Sequence, residues 1–222
     1  MTATLHSPRI TPELVREVFA PPEQHPGMLI SIVGFDGSGK TTQLEAVAEV
    51  LRARGREVVV TKQPTDWYRE LGEVRTFHDA GGSSATARVL ALLAAADRLR
   101  HIHEVVNPAL RRGAVVLCDR YVYATYGVFI HRGVDAAFLT TINHGVPRPD
   151  FAFYLKMSPE QLASRLRARD GNALQFEERS LDRIASITRT YDEMAEELLT
   201  VDGSLPPEVV TDTLLRTIDQ GR

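Results

Sequence analysis

The stretch Ser31-Ile-Val-Gly-Phe-Asp-Gly-Ser-Gly-Lys-Thr-Thr42 places Gly34, Gly39, Lys40 and Thr41 at the spacing G-x-x-x-x-G-K-T. An apolar run from Met28 to Val33 leads in and a helical pattern from Gln43 to Arg54 leads out. The motif needs that context of strand, glycine loop and helix start. Gly34, Gly37 and Gly39 let the backbone curl around phosphate oxygens, so that N–H groups from Gly34 to Thr42, Ser38 included, turn inward as a nest. The helix behind them adds the positive end of its dipole. Lys40 is then expected to bridge the outer phosphates of ATP, and Thr41 to hold Mg2+. The weaker reading is a glycine-rich turn before an ordinary helix.

Other residues carry chemistry if they reach that loop. Asp119-Arg120-Tyr121 follows an apolar strand pattern. Asp119 at a strand end is positioned to orient metal waters or the attacking oxygen, and Arg120 to meet phosphates with its planar fork. The alternative is a surface Asp–Arg pair. Asp36 is a carboxylate inside the loop, unfavourable beside phosphates, and is expected to turn toward a sugar hydroxyl or simply to shape the turn. Arg98, in Ala94-Ala-Ala-Asp-Arg98, is placed to reach a base or phosphate with Asp97 orienting it; taken alone, a solvated charge pair is the simpler reading. Arg165, Arg167 and Arg169 lie two apart, too close to share one helix face. They precede the polar break Asp170-Gly-Asn-Ala-Leu-Gln. A lid closing on transferred phosphate fits this, and a basic helix face is the alternative.

The elements that must position these groups alternate along the chain. Strands are expected at Leu29–Val33, Glu57–Thr61, Ala114–Asp119, Phe151–Leu155 and Leu198–Val201. Helices are expected at 40–54, 85–112, 135–143, 159–169, 178–199 and 207–218. The fifth helix and the last strand compete for the same residues. Pro108 should kink or break the long second helix. Apolar runs such as Ala114-Val-Val-Leu-Cys118 read as strands buried on both faces, so the sheet is parallel and covered by helices. Ligands then bind at the carboxyl ends of the strands. The expected fold class is α/β, three-layer, with a short lid at about 165–180. Residues 1–27 form an extension: His6-Ser-Pro-Arg9 is loop-like, Thr11-Pro12 caps a short helix, and Leu14, Val15, Val18 and Phe19 give it an apolar face.

Bulk composition sets the class. The chain has 222 residues, 43% hydrophobic and 25% charged, with net charge −3. That is enough for a large globular core and gives no sign of a nucleic-acid or membrane surface. The single cysteine, Cys118, excludes an intrachain disulfide and fits a reducing compartment. Its apolar neighbours imply an inert buried thiol. Without an apolar run of membrane-spanning length or a leader pattern, a cytoplasmic protein is expected.

From Met28 onward the chain resembles the thymidylate kinase family. Gly34-Phe-Asp-Gly-Ser-Gly-Lys-Thr-Thr-Gln43 is similar to that family's loop, with its internal Asp. Thr61-Lys-Gln-Pro64 stands where the family has Thr-Arg-Glu-Pro. Leu71-Gly-Glu-Val-Arg75, Ala96-Asp-Arg98, Asp119-Arg-Tyr121, Pro147-Arg-Pro-Asp150, Tyr191 and Val201-Asp-Gly-Ser-Leu-Pro-Pro-Glu208 also resemble family features. The resemblance implies Mg2+-dependent phosphoryl transfer from ATP to a nucleoside monophosphate, in a homodimer. It implies that Asp36 faces the acceptor sugar, Arg98 the base and Arg120 the acceptor phosphate, with Lys62 and Arg75 in phosphate-contacting segments. With no arginine at Phe35, Gly37 or Ser38, charge stabilisation would fall to Arg165 or Arg169.

The departures gather on the acceptor side. Ala94 replaces a base-stacking Phe, Ala124 replaces a Ser, and Val128 stands where an aromatic would crowd the sugar 2′ position. Thr125 remains able to bond a base. Lys62 replaces an arginine. Three readings follow: a kinase for dTMP or a close analogue, a kinase of the same build with a larger or modified acceptor, and a regulatory nucleotide-dependent ATPase. The lid arginines suit the kinases better than the last.

Overall fold

The computed structural model describes residues 10–171 and 173–221. Its elements are α1 (Pro12–Arg16), β1 (Met28–Val33), α2 (Lys40–Ala53), β2 (Val58–Lys62), α3 (Asp66–Arg69), α4 (Gly72–Ala80), α5 (Ser84–His101), α6 (Asn107–Arg111), β3 (Val115–Asp119), α7 (Tyr121–His131), α8 (Ala136–Asn143), β4 (Phe151–Lys156), α9 (Pro159–Asp170), α10 (Leu181–Glu193), β5 (Leu199–Asp202) and α11 (Pro207–Gln220). The five strands form one sheet in the order β2-β3-β1-β4-β5, and every pairing is parallel. Its two faces carry separate apolar cores. One packs Ile30, Ile32, Leu117 and Phe153 against α2 and α11 through Leu44, Leu51 and Leu214. The other packs Leu29, Val33 and Val116 against α5, α7 and α10 through Leu90, Val122 and Ile187. This is the expected three-layer α/β arrangement, with β1 at the centre of the sheet.

Register brings the chemistry to one edge. Asp119 at the end of β3 lies opposite Ile32 of β1 and Lys62 of β2. The glycine loop leaves β1 one residue later.

Three expected boundaries move. The long second helix is α5, a π-helical turn at Ile102–Val106, and α6. Pro108 sits just beyond the turn, where its missing N–H and its ring prevent regular helix upstream. The helix expected from Glu178 begins at Leu181, because Gln175–Arg179 is folded into turns: Glu178 Oε2 accepts from the Gln175 N–H at 2.7 Å, and Arg179 Nε donates to Leu174 O at 2.8 Å. It also stops at Glu193, which frees Leu199 for β5. Helices α3, α4 and α7 were not anticipated. In α7 nearly every residue is buried, so the apolar stripe that marks a surface helix is missing.

The extension ahead of β1 is closely fitted to the core. Gly27 N–H donates to Leu110 O at 3.0 Å, and Met28 N–H to Ala114 O at 3.1 Å. A Cβ on Gly27 would lie 2.5 Å from Ala114 O and 2.7 Å from Leu110 Cα. His6-Ser-Pro-Arg9 falls outside the described residues. Since backbone cannot yield as a side chain tip can, Gly27→Ala should lose about 1–3 kcal/mol by urea unfolding. Gly72→Ala, where a Cβ meets open space, should be neutral or slightly stabilising.

Candidate active site

The glycine loop is built around its lysine. Gly39 caps α2 at φ 96°, a left-handed conformation open to glycine at little cost. At Gly34 a Cβ would lie 2.6 Å from Ser38 Oγ. Lys40 is buried and its ammonium donates to Phe35 O at 2.9 Å, 3.5 Å from Asp36 Oδ1. Burial lowers its pKa, helped by Arg120 and opposed by Asp36. Ser38, Gly39, Thr42 and Gln43 line a cleft with Arg165, Gly203, Leu205 and Pro207. Arg165 Nη1 lies 3.4 Å from Gly37 O. Thr41 and Asp119 share a second cleft, on the β2 side. Asp119 Oδ1 is buried with no hydrogen-bond partner among the described residues. An orphaned carboxylate oxygen at a residue that shares a cleft with Thr41 fits a hard cation that arrives with phosphate oxygens. Among the described residues no group of three or more His, Cys, Asp or Glu forms a metal cage by itself.

On the other side of the loop is a pocket walled by Phe35, Asp36, Pro64, Tyr68, Arg69 and Arg120, by Ala124, Thr125, Val128 and Phe129 of α7, and by Glu178 and Tyr191. Asp36 and Arg120, both on its wall, form an ion pair. Burial works against the Asp36 carboxylate, but Arg120 and Lys40 outweigh it and hold its pKa well below the usual range. Burial likewise opposes the Arg120 charge, while Asp36 and Asp119 raise its pKa further. Asp36 therefore does not turn away from charge: it is the counter-ion of two cations. Arg120 and Tyr121 have φ of 77° and 57°. Positive φ at non-glycine residues costs on the order of 1–3 kcal/mol each and tends to gather at functional sites.

Several residues expected at the acceptor do not line this pocket. Lys62 is paired with Asp66 at 2.6 Å and its side chain is 46% exposed. Arg75 is exposed on α4 and Ala94 is fully buried in α5; neither lines the pocket. Arg98 is not a solvated pair with Asp97. It is 1% exposed, and its guanidinium donates to Asn143 Oδ1 (2.9 Å), Gln63 Oε1 (2.6 Å) and Thr125 Oγ1. Asp97 does not orient it; that carboxylate accepts from the backbone N–H and the hydroxyl of Thr65, at 2.6 and 2.5 Å. Arg98 thus stands behind Thr125. Of the lid arginines, Arg165 lies over the loop, Arg167 is exposed, and Arg169 pairs with Asp170 at 2.5 Å. Cys118 is buried and its thiol is pushed up to about 12, as an inert thiol should be.

Sequence reasoning missed Arg69, which lines the pocket beside Arg120 and donates to Pro64 O at 2.8 Å. Its signal was slight, a single arginine on a four-residue helix just after Thr-Lys-Gln-Pro. It also missed how the 175–179 turn is held. Arg132 donates to Glu177 Oε1 from Nε (2.8 Å) and Nη2, between Phe77 and Phe176 at 4.1 and 4.2 Å from the ring centroids.

A strand-loop-helix phosphate cradle at the centre of a parallel sheet, flanked by a second, arginine-bearing pocket, defines a P-loop nucleotide kinase. A family model described as Thymidylate kinase matches residues 32–214. The chain belongs to the thymidylate kinase family and is a nucleoside monophosphate kinase. It is 38% identical over 175 residues to the probable thymidylate kinase of Pyrococcus abyssi, covering 77% of this chain and 83% of that one. It is 34% identical over 174 residues to the thymidylate kinase of an Exiguobacterium species, covering 75% and 76%. Over 203 residues it is 32% identical to the thymidylate kinase of Desulfovibrio desulfuricans, covering 82% and 91%. Among the described residues no helix is long and apolar enough to cross a membrane.

Removing Glu177 should leave the Arg132 charge buried and unpaired. Glu177→Ala is expected to cost about 3–5 kcal/mol in chemical unfolding, and Arg132→Met with Glu177→Leu to recover much of it.

Proposed function

We propose that the protein transfers the γ-phosphoryl group of ATP to dTMP, giving ADP and dTDP, in the cytoplasm. The observation that carries this reading is the Asp36–Arg120 pair, which stands between a phosphate-cradling loop and an enclosed pocket. Gly34, Gly37, Ser38, Gly39, Thr41 and Thr42 supply backbone donors for the ATP phosphates. Lys40 exchanges its present partner, Phe35 O, for the outer phosphates. Mg2+ bound with ATP would neutralise phosphate charge. Thr41 and the orphaned Asp119 oxygen would hold it, directly or through water. The acceptor phosphate lies against Arg120, with Arg69 taking the place expected of Lys62. One of its oxygens attacks the γ-phosphorus, the bond to the β-bridging oxygen breaks, and ADP leaves. Arg165, and Arg169 once released from Asp170, neutralise charge on the moving group. Catalysis is positioning and electrostatics throughout.

Asp36 accepts from the acceptor sugar while remaining ion-paired. Thr125 reads the base. Its oxygen already accepts from Arg98, so its proton is free to donate toward a base carbonyl. Thymine and uracil offer one at the ring position where cytosine carries an amino group. A second reading, a larger or modified acceptor, is favoured by the small Ala124 and Val128 on the pocket wall and by Arg98 standing behind it.

The assembly we propose is a homodimer through α5. Val89, Leu92, Ala96 and Leu99 follow a 3-4-3 spacing on its outer face, with the three larger side chains 57%, 47% and 59% exposed. Such a stripe is self-complementary about a two-fold axis.

With Mg2+ and ATP, dTMP should be converted at a KM in the usual range of about 1 μM to 1 mM, ahead of dCMP. Lys40→Ala should abolish turnover while keeping the circular dichroism spectrum and melting temperature. Hydrolysis of ATP with no monophosphate phosphorylated would instead indicate the regulatory ATPase. Leu92→Glu with Leu99→Glu should halve the mass seen by light scattering; an unchanged mass would remove α5 from the interface.

A further inference from the structure

Helix α7 has two working faces. Ala124, Thr125, Val128 and Phe129 line the pocket. At about 100° per residue, Tyr123, Tyr126 and Ile130 fall on the opposite side. That side meets the segment ahead of the family match, which begins at residue 32. The rings of Phe19 and Tyr123 are 5.9 Å apart at 53°. Tyr126 Oη lies 2.8 Å from Thr140 Oγ1, and Thr140 Oγ1 lies 3.2 Å from Leu14 O. Thr140 has one hydroxyl proton, and a carbonyl can only accept, so Thr140 donates to Leu14 and Tyr126 donates to Thr140. The relay runs from α7 through α8 to the backbone of α1.

The segment itself is anchored at several points. Val15 and Val18 are fully buried. Gly145 N–H donates to Val18 O at 2.9 Å, and Ala20 N–H to Val146 O at 2.8 Å. Arg16 Nε and Arg148 Nη2 both reach Glu197, at 2.5 and 2.8 Å. Helix α8, clamped beneath the segment, also carries Asn143, which holds Arg98 and through it Thr125. The segment therefore bears on the acceptor wall by two routes. On the donor side, α2 packs against α11 and the sheet.

We infer that residues 11–20 are a buttress that positions the acceptor wall, with Phe19, Thr140 and Tyr126 as its positioning residues. This rests on the reading of the inner face of α7 as the acceptor site. Without the buttress α7 keeps its packing on α10, α5 and β1 but loses support on its outer face, so the side chains of its inner face shift from the positions that meet the acceptor.

The test uses the full chain with Phe19→Ala, Thr140→Val and Tyr126→Phe; the last two remove the relay and keep the shape. Two readouts are taken. In kinetics with dTMP and ATP, the acceptor KM should rise on the order of tenfold while the ATP KM holds. Phe19→Tyr should restore it. In amide hydrogen exchange, Tyr121–His131 should lose protection while Lys40–Ala53 keeps it. A fall in kcat with both KM values fixed, protection lost throughout the chain, or no change in α7 would each overturn the inference. If the parent chain phosphorylates no monophosphate, the kinase reading fails by itself, and exchange in α7 alone decides whether the buttress exists.

Discussion

Asp36 and Arg120 hold the two halves of the site together. One comes from the loop after β1 and the other from the end of β3, and both are partly buried. Removing two charges from water costs several kcal/mol per ion, so such a pair adds little net stability. Its consequence is geometric. With Asp36 fixed, the loop cannot open away from β3, and Lys40 keeps a carboxylate beside it. Arg120 caps α7, where Arg120 and Tyr121 both have positive φ, and that start sets which side chains of α7 enter the pocket.

The sheet makes that pairing possible. β1 lies directly between β3 and β4, so the loop after β1 is adjacent to whatever follows β3. Both faces of these strands are buried under helices. The polar groups at the strand ends are thus placed by burial several residues away. Charge then accumulates at this edge. Lys40, Arg69 and Arg120 converge on Asp36 and Asp119, and burial together with mutual repulsion lowers the pKa of Arg69. Glu178 lies on the same pocket wall, so cations and carboxylates are interleaved along this edge.

Much of this was legible in the residues. The glycine loop, the five strands and the position of Asp119-Arg120 follow from short-range rules: fixed spacing, continuous apolar runs, and a charged pair where a run ends. Arg98 shows where such rules stop. Its sequence surroundings suit a solvated helix, and only the folded chain brings Gln63, Asn143 and Thr125 around its guanidinium from 35, 45 and 27 residues away. Lys62 and Arg69 show the same limit in reverse. The first sits in the family's motif but points to Asp66, while the second has no motif and reaches the pocket. Helix α7 was hidden because burial on all sides erases the periodicity by which helices are recognised.

That full burial has a physical consequence. A helix packed on one face is located by one surface and can adjust to what it binds. In α7 one face lines the pocket and the other meets Phe19 and Thr140, so neither can move without disturbing the other. Interiors packed at crystal-like density transmit such displacements. The pocket wall is therefore backed by residues that do not line it, including a segment ahead of the matched family region. Substitutions such as Ala94 and Val128 then have to be weighed with the surroundings that support them. Ala94 is fully buried in α5 and does not line the pocket, so its surroundings are the packing of that helix.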